Sequence, residues 1–472
     1  MQFDRDTPYS EAPNRNHPRY CAMTYLDNLA RFAAEFPTTN IPRDAIERTK
    51  LIVADCVAAI VGGNAEPEMQ ALHAAANAQV AGPALIVGTG QQTSTSQAAL
   101  INGTAGTFLE MDEGQTFSKG HPGMHTLPAA LAFAETTDVS GADFLAAVAI
   151  GYDVGARVGI GSALRLTMHP HGTWGAINAA TAVARLARRS RDDMKTSINI
   201  GATLGLATSR RTMLEGGTVR NAFAGVSAQM GIMTDDLVAA GFCGEVDGVA
   251  HVYGNVVSES FNPEAVVEDL GQRWEVTRNY FKMHSCCRFN HAALDALDMI
   301  AREAGGRLDP DHIQRIEVDT YSLAVELDDP VPRNTLAGKF SLPFSLATSI
   351  INGSSGVASF TWDQIEREDI RRLSAKVTVR EDPEMSAQLP ARRPAKLVIT
   401  LDGGARLEAA TETNRGDWSD PYQPDELRDK YLSLTERLWT RNGALAVHET
   451  IMTLETAGDM RRLSQSMRAA VR

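Results

Sequence analysis

No block of lysine or arginine stands out in this chain of 472 residues, whose formal charge is −13. The basic face that a phosphate backbone requires is missing, so no nucleic acid is expected as a partner. Glycine-rich fingerprints are present only as the fragments Gly88-Thr89-Gly90 and Gly159-Ile160-Gly161. Neither follows a recognisable strand or has an acidic partner, and no nucleotide cofactor is expected. A GxSxG nucleophile elbow is also absent. Cysteine is scarce: Cys21, Cys56, Cys243, Cys286 and Cys287 are odd in number and lack the repeated spacing of a disulfide framework. That usage suits a reducing compartment, and a cytoplasmic location is expected. The polar, proline-bearing N-terminus has no apolar core of the kind a secretory signal needs and reads as a flexible arm, 1–22. Long apolar runs are lacking too. The greasiest stretches, 51–61 and 144–152, are short for a bilayer and adjoin or contain Asp55 and Asp153, so no membrane association is expected.

What is present is an ordinary globular composition, 43% hydrophobic and 22% charged. The length exceeds the ~250–300 residues over which one core keeps growing, so at least two domains are expected. From Tyr25 onward the pattern is helical and rich in alanine and glycine. Its clearest unit starts at Pro42 and is expected to stop at Gly62 and Gly63. Segments 142–160 and 173–186 are apolar on most faces and read as buried helices. After about Val276 the period changes: 312–327 and 375–380 alternate in part like strands, while 395–401, Gly403-Gly404 and 406–411 read as a hairpin. Helical periodicity returns after Pro424 and again over 444–467. The expected architecture is mainly α with an α+β second domain: a helical domain over 23–275, an α+β lid over 276–412, and C-terminal helices over 413–472 that rejoin the first domain.

Three polar clusters stand out. Glu110-Met111-Asp112-Glu113-Gly114 leads to Lys119, His121-Pro122 and His125, carboxylates and imidazoles gathered in a loop that caps two apolar helices. Loops on a rigid scaffold are where acid–base groups are commonly carried. His169-Pro170-His171-Gly172-Thr173-Trp174-Gly175 precedes an alanine-rich helix, whose N-terminus favours an anionic group; His171 or Thr173 could equally be its N-cap. Lys282 through His291 (KMHSCCRFNH) mixes Cys and His without a paired CxxC, so no metal is expected there; Lys282, Arg288 and the histidines read as a cationic wall. Arg210, Arg211 and Arg220 add positive charge, or form a solvated helix face. A net charge of −13 repels anions at long range, so a pocket for a polycarboxylate must gather its cations locally.

In this order the clusters, with Asn102-Gly103-Thr104-Ala105 and the 220–225 segment, resemble the MmgE/PrpD family over nearly the whole chain after Met23. That family includes 2-methylcitrate dehydratase, cis-aconitate decarboxylase and iminodisuccinate epimerase. The resemblance implies a helical domain with an α+β lid, a homodimer, an active site between the domains, and no metal or organic cofactor. It assigns His121, His169 and Lys282 to active-site positions. The family's Asp-x-Asp-Asp-Thr run appears here as Glu110, Asp112, Glu113 and Gly114, its usual lysine as Arg220, and a histidine of the decarboxylase branch as Cys287. The expected function is a lyase of dehydratase type that removes a proton α to a carboxylate of a small di- or tricarboxylic acid. An epimerase of an iminodisuccinate-like diacid, a cis-aconitate-type decarboxylase and a non-catalytic binding protein are the alternatives. His121, His169, Lys282, Asp112 and Glu110 are the expected catalytic groups. Arg220, Arg288, Cys287, His125 and Thr173 are expected to bind substrate.

Overall fold

Alanine and glycine, abundant in the first half of the sequence, set how closely its helices pack. In the computed structural model, which describes residues 24–77 and 81–472, Gly63 lies in the last turn of helix Arg43–Asn64. A β-carbon there would stand 1.9 Å from the carbonyl oxygen of Ala105 on helix Thr95–Phe108. A β-carbon on Gly103 would meet Cα of Gly225, on helix Ala222–Ala239, at 2.6 Å. These are backbone contacts that any side chain would push apart. The expectation that Gly62 and Gly63 end their helix is thus corrected: the helix continues to Asn64, and the glycines serve packing. The expected arm, 1–22, lies outside the described residues.

Around this contact stand the buried helices Pro122–Ala134, Gly141–Gly161 and Gly175–Leu186. Ser94 and Ser140 cap two of the helices by accepting the backbone N–H three residues on. Gly141–Gly161 corrects the view that the run at 144–152 is short: at 21 residues it is the one helix among the described residues long and apolar enough to cross a membrane. Nevertheless 94% of its most apolar window is buried inside the protein. It also carries the buried pair Asp153–Arg157, 2.5 Å apart, whose guanidinium donates to the carbonyls of Val266, Glu268 and Arg273.

A second core forms around a four-stranded sheet in the order Arg406–Thr411, Ala395–Leu401, Ile313–Thr320, Val377–Glu381. The first three strands are antiparallel, and the last pairs in parallel with Ile313–Thr320, in register Val318↔Val379. Helices His291–Glu303 and Leu342–Asn352 share this core with Ile316, Val318, Leu397 and Ile399. The hairpin is as expected from its glycine pair. The expected strand-like stretch 312–327 is shorter than read: it ends at Thr320 and passes into the helical turn Ser322–Val325.

Helices Pro424–Thr435, Arg441–Met452 and Arg461–Ala470 then return Tyr431, Leu434, Trp439, Ile451 and Met467 to the first core. The periodic stretch 444–467 is two helices rather than one, broken by a 3-10 turn at Leu454–Thr456. Two further expectations change. Gly88 and Gly90 do follow a strand, Ala84–Leu85, but it pairs with Gln92–Thr93, so the glycines turn a hairpin at φ +97° and +71°. The helix expected at 173 begins at Gly175.

Candidate active site

Where helix Thr95–Phe108 ends, the chain turns through Glu110 at φ +54°, a left-handed conformation uncommon outside glycine, at a point where function is commonly found. That turn buries three successive carboxylates: Glu110, Asp112 and Glu113 are each no more than 1% exposed. The segment next pairs with the strand leading into the Lys282–His291 cluster, Gly114–Gln115 running antiparallel to Asn279–Tyr280. A β-carbon on Gly114 would lie 2.3 Å from the Tyr280 hydroxyl. Glycine at the position of the family's threonine therefore makes room for a tyrosine, and that tyrosine borders a cavity of about 320 Å³ between the two cores.

The floor of the cavity is charged and deeply buried. Glu110 accepts from Lys282 Nζ at 3.2 Å and pairs with the Arg220 guanidinium, so two departures from the family pattern, glutamate for aspartate and arginine for lysine, form one ion pair. Lys282 also stands 3.7 Å from Asp112. Burial alone would lower the Lys282 ammonium, but Glu110 and Asp112 outweigh it and hold it above its ordinary value. Burial would likewise raise the Asp112 carboxyl, and its contact with His121 together with the charges of Lys282 and Arg220 keeps it low instead. Asp112 thus remains an anion beside His121.

His121 sits just before Pro122, the first residue of helix Pro122–Ala134. Its Nδ1 lies 2.6 Å from the backbone oxygen of Glu113 and 2.8 Å from Asp112 Oδ2. Both neighbours are acceptors, so Nδ1 carries the proton and the neutral ring keeps Nε2 as its basic nitrogen. His169 has the opposite tautomer. Its Nδ1 accepts the backbone N–H of His171 at 3.0 Å, which puts its proton on Nε2. Burial first, then Arg220 and His121, drive the pKa values of His169 and His171 well below the usual imidazole range, so both are neutral donors.

Of the residues singled out in the sequence, Glu110, His121, His169, Arg220, Cys287 and Arg288 border the cavity, and Asp112 and Lys282 support it from behind. Two expectations are corrected. His125 does not reach the cavity: it packs under Gly175 and beside Trp174, burial lowers it to about 3, and neither ring nitrogen has a partner among the described residues. Thr173 is also outside, its hydroxyl donating to the Pro170 carbonyl at 2.6 Å. Nor does Thr173 or His171 cap the following helix; Trp174 takes that place without a side-chain bond. The cysteines are packed and poorly ionisable, burial raising both thiols.

The structure adds Arg393 to the cavity and draws in His171 and Arg210, which the sequence marked only within clusters. His171 lies between His121 and His169, with ring centroids 4.4 and 4.9 Å away. Arg393, 7% exposed, and Arg210 both approach the Phe289 ring, at 5.5 and 5.8 Å. Arg210 thus borders the cavity, also pairing with Glu326, whereas Arg211 is exposed and paired with Glu215 as a solvated helix face would be. His171 was legible only as part of its cluster, and Arg393 carried no signal at all. Together with Arg220 and Arg288, these arginines provide the local cations that an acidic chain needs in order to hold an anion.

Asp112, His121 and His171 each offer a metal-ligand atom, all within 4.8 Å of one another. Lys282 and the protonated Nδ1 of His121 already face the carboxylate of this set, a donor environment that suits a bound anion better than a cation.

Two comparisons bear on this arrangement. The MmgE/PrpD N-terminal domain matches residues 27–264, and the MmgE/PrpD C-terminal domain matches residues 284–455. The chain is 24% identical to a cis-aconitate decarboxylase-like protein of Aspergillus oryzae, over 92% of this chain and 95% of the relative. It is 22% identical to a cis-aconitate decarboxylase of Aspergillus terreus, over 94% and 96% of the two chains. It is also 22% identical to a cis-aconitate decarboxylase of Mus musculus, over 78% of each. With both domains matched and the buried Glu110–Arg220–Lys282 cluster placed between the two cores, the chain belongs to the MmgE/PrpD family.

Proposed function

We propose that this protein is a lyase acting on a small di- or tricarboxylic acid, with His121 as the proton-transfer group. The observation that carries the reading is the His121 tautomer: Nδ1–H is held by Glu113 and Asp112, leaving a basic Nε2 on a ring that borders an arginine-lined cavity. Removing a proton α to a carboxylate creates an enediolate dianion, which forms only where fixed cations and donors await the charge. Arg220 is suited to receive it, because its planar guanidinium can hold two carboxylate oxygens. His169 and His171, neutral and protonated on one nitrogen each, are hydrogen-bond donors there rather than acids.

In the dehydratase form of the reaction, His121 takes the α-proton through Nε2. The C–H electrons become the new C=C bond, and the imidazolium returns its proton to the departing β-hydroxyl, so water leaves. The names of the relatives favour decarboxylation as the second reading. There the imidazolium supplies a proton to carbon as CO2 is lost. Cys287, where the decarboxylase branch has a histidine, removes one imidazole from that version and supports dehydration first. The test is a panel of hydroxy- and unsaturated di- and tricarboxylates, read by ultraviolet absorbance for C=C formation, by CO2 release and by solvent deuterium exchange. Activity is expected without added metal or nucleotide and after chelation. Absence of exchange and turnover on every acid would refute the reading.

A further inference from the structure

The most deeply buried charged groups of the cavity form its floor. Glu110, His171 and Arg220 are 1% exposed, His169 4% and Arg288 3%. The rest of the lining is mainly apolar, with Lys119, Arg165, Arg210 and Arg393 as its other charged side chains. Met213 and Phe340 are buried, each 4% exposed, and the Arg220 guanidinium lies 5.2 Å from the Phe340 ring centroid. Leu164, Met168 and Leu389 are partly buried, and Leu166, at the rim, is 73% exposed. These side chains come from separate segments of both cores, so the apolar wall is built across the seam rather than inherited from one helix. A tri- or dicarboxylate with a bare carbon skeleton has no surface to lay against it. Ligand sites are mostly apolar with a few placed polar groups, each kind of wall matching a part of the ligand.

We infer that the acid bound here carries an apolar chain of several carbons, its carboxylates on the arginines of the floor and its chain running outward along Phe340, Met213, Leu389 and the 164–168 segment. The inference rests on the polycarboxylate reading for the floor and adds the substituent. With the chain inward, the buried Arg220 would face hydrocarbon in place of a carboxylate, a cost that favours the outward arrangement. The chain would enter water-exposed apolar surface and cover it, a gain roughly proportional to length until the rim is passed.

The test separates chain recognition from chemistry. Binding of a homologous series of 2-alkylsuccinates, from methyl to octyl, is measured by calorimetry on the wild-type protein. Turnover is measured on the corresponding alkyl-substituted hydroxy and unsaturated tricarboxylates. Affinity is expected to rise by roughly 4-fold for each buried methylene over the first several, then level off. Leu166→Asp and Leu389→Asp should flatten that slope to under about 2-fold per methylene, whereas Leu407→Asp, on the sheet away from the cavity, should not. Flat or falling affinity beyond methyl, with turnover of the short acids, overturns the chain inference and leaves the lyase reading standing. Rising affinity without turnover of any member leaves the chain inference standing and overturns the lyase reading. No binding by any member overturns both.

Discussion

Glu113→Gln isolates a strongly perturbed acid behind the site. Glu113 is fully buried; Oε1 accepts the Gly123 N–H at 2.7 Å and Oε2 accepts the Tyr152 hydroxyl at 3.0 Å. Burial pushes its carboxyl up from an ordinary 4.5 to about 8, overcoming those two hydrogen bonds, with Asp55 and Asp112 adding to the rise. The folded protein therefore keeps a proton that the unfolded chain releases between pH 4.5 and 8. With more protons bound to the native state, stability falls as pH rises through that window, by ~1.4 kcal/mol per unit for this one group. The accumulated cost above pH 8 is on the order of 5 kcal/mol. Glutamine resembles the protonated acid and can still accept from Gly123, so the variant should match the wild type near pH 4.5 apart from a constant offset. It should then gain on the wild type as pH rises and hold the lead above pH 8. Urea unfolding at half-unit steps from pH 4.5 to 9 reads the difference, in which all other titrations cancel. Infrared spectroscopy should show a protonated-carboxyl band in the wild type at pH 6.5 that fades by pH 9 and is missing in the variant. A pH-independent difference, or a variant that loses ground at high pH, would refute the assignment.

His121→Asn should lower kcat by about 10²- to 10⁴-fold, the usual share of one acid–base group, while circular dichroism stays unchanged; near wild-type turnover would remove His121 as the base. His169→Asn removes a neutral donor instead and should cost less in kcat than His121→Asn, the reverse order in steady-state kinetics indicating that the roles are exchanged. Glu110→Gln strips the shared counter-ion from buried Arg220 and Lys282, and urea unfolding should show a loss of ~3–5 kcal/mol; a loss within error would mean the cations are satisfied elsewhere. Gly63→Ala drives a methyl into the Ala105 carbonyl, and unfolding should show a loss of at least ~1–3 kcal/mol, whereas an unchanged midpoint would mean the helices part freely.

Much of the fold was written locally. The hairpin at 395–411 follows from alternation around Gly403-Gly404, and the buried helices follow from alanine-rich segments capped by serine. Such features depend on short-range backbone and solvation preferences that a linear chain displays. The failures were local signals overridden by packing: Gly62 and Gly63 resemble a helix stop until Ala105 is seen against them, and Thr173 resembles an N-cap until its hydroxyl turns to Pro170. The site divides the same way. Its polar clusters announce themselves by composition, so Glu110, His121, His169, Arg220 and Arg288 were legible as residue types in the right places. Which of them meet was decided by the tertiary structure alone, because Arg220 reaches Glu110, and Tyr280 fills the space beside Gly114, across long stretches of chain. Ring tautomers are set in the same manner, by whichever partner the fold brings to a nitrogen: the accepting carbonyl of Glu113 for His121, but a donating backbone N–H for His169. Arg393 and the apolar wall show the limit most plainly, since a cavity is formed by surfaces that distant segments turn toward one another, and sequence order carries no record of that meeting.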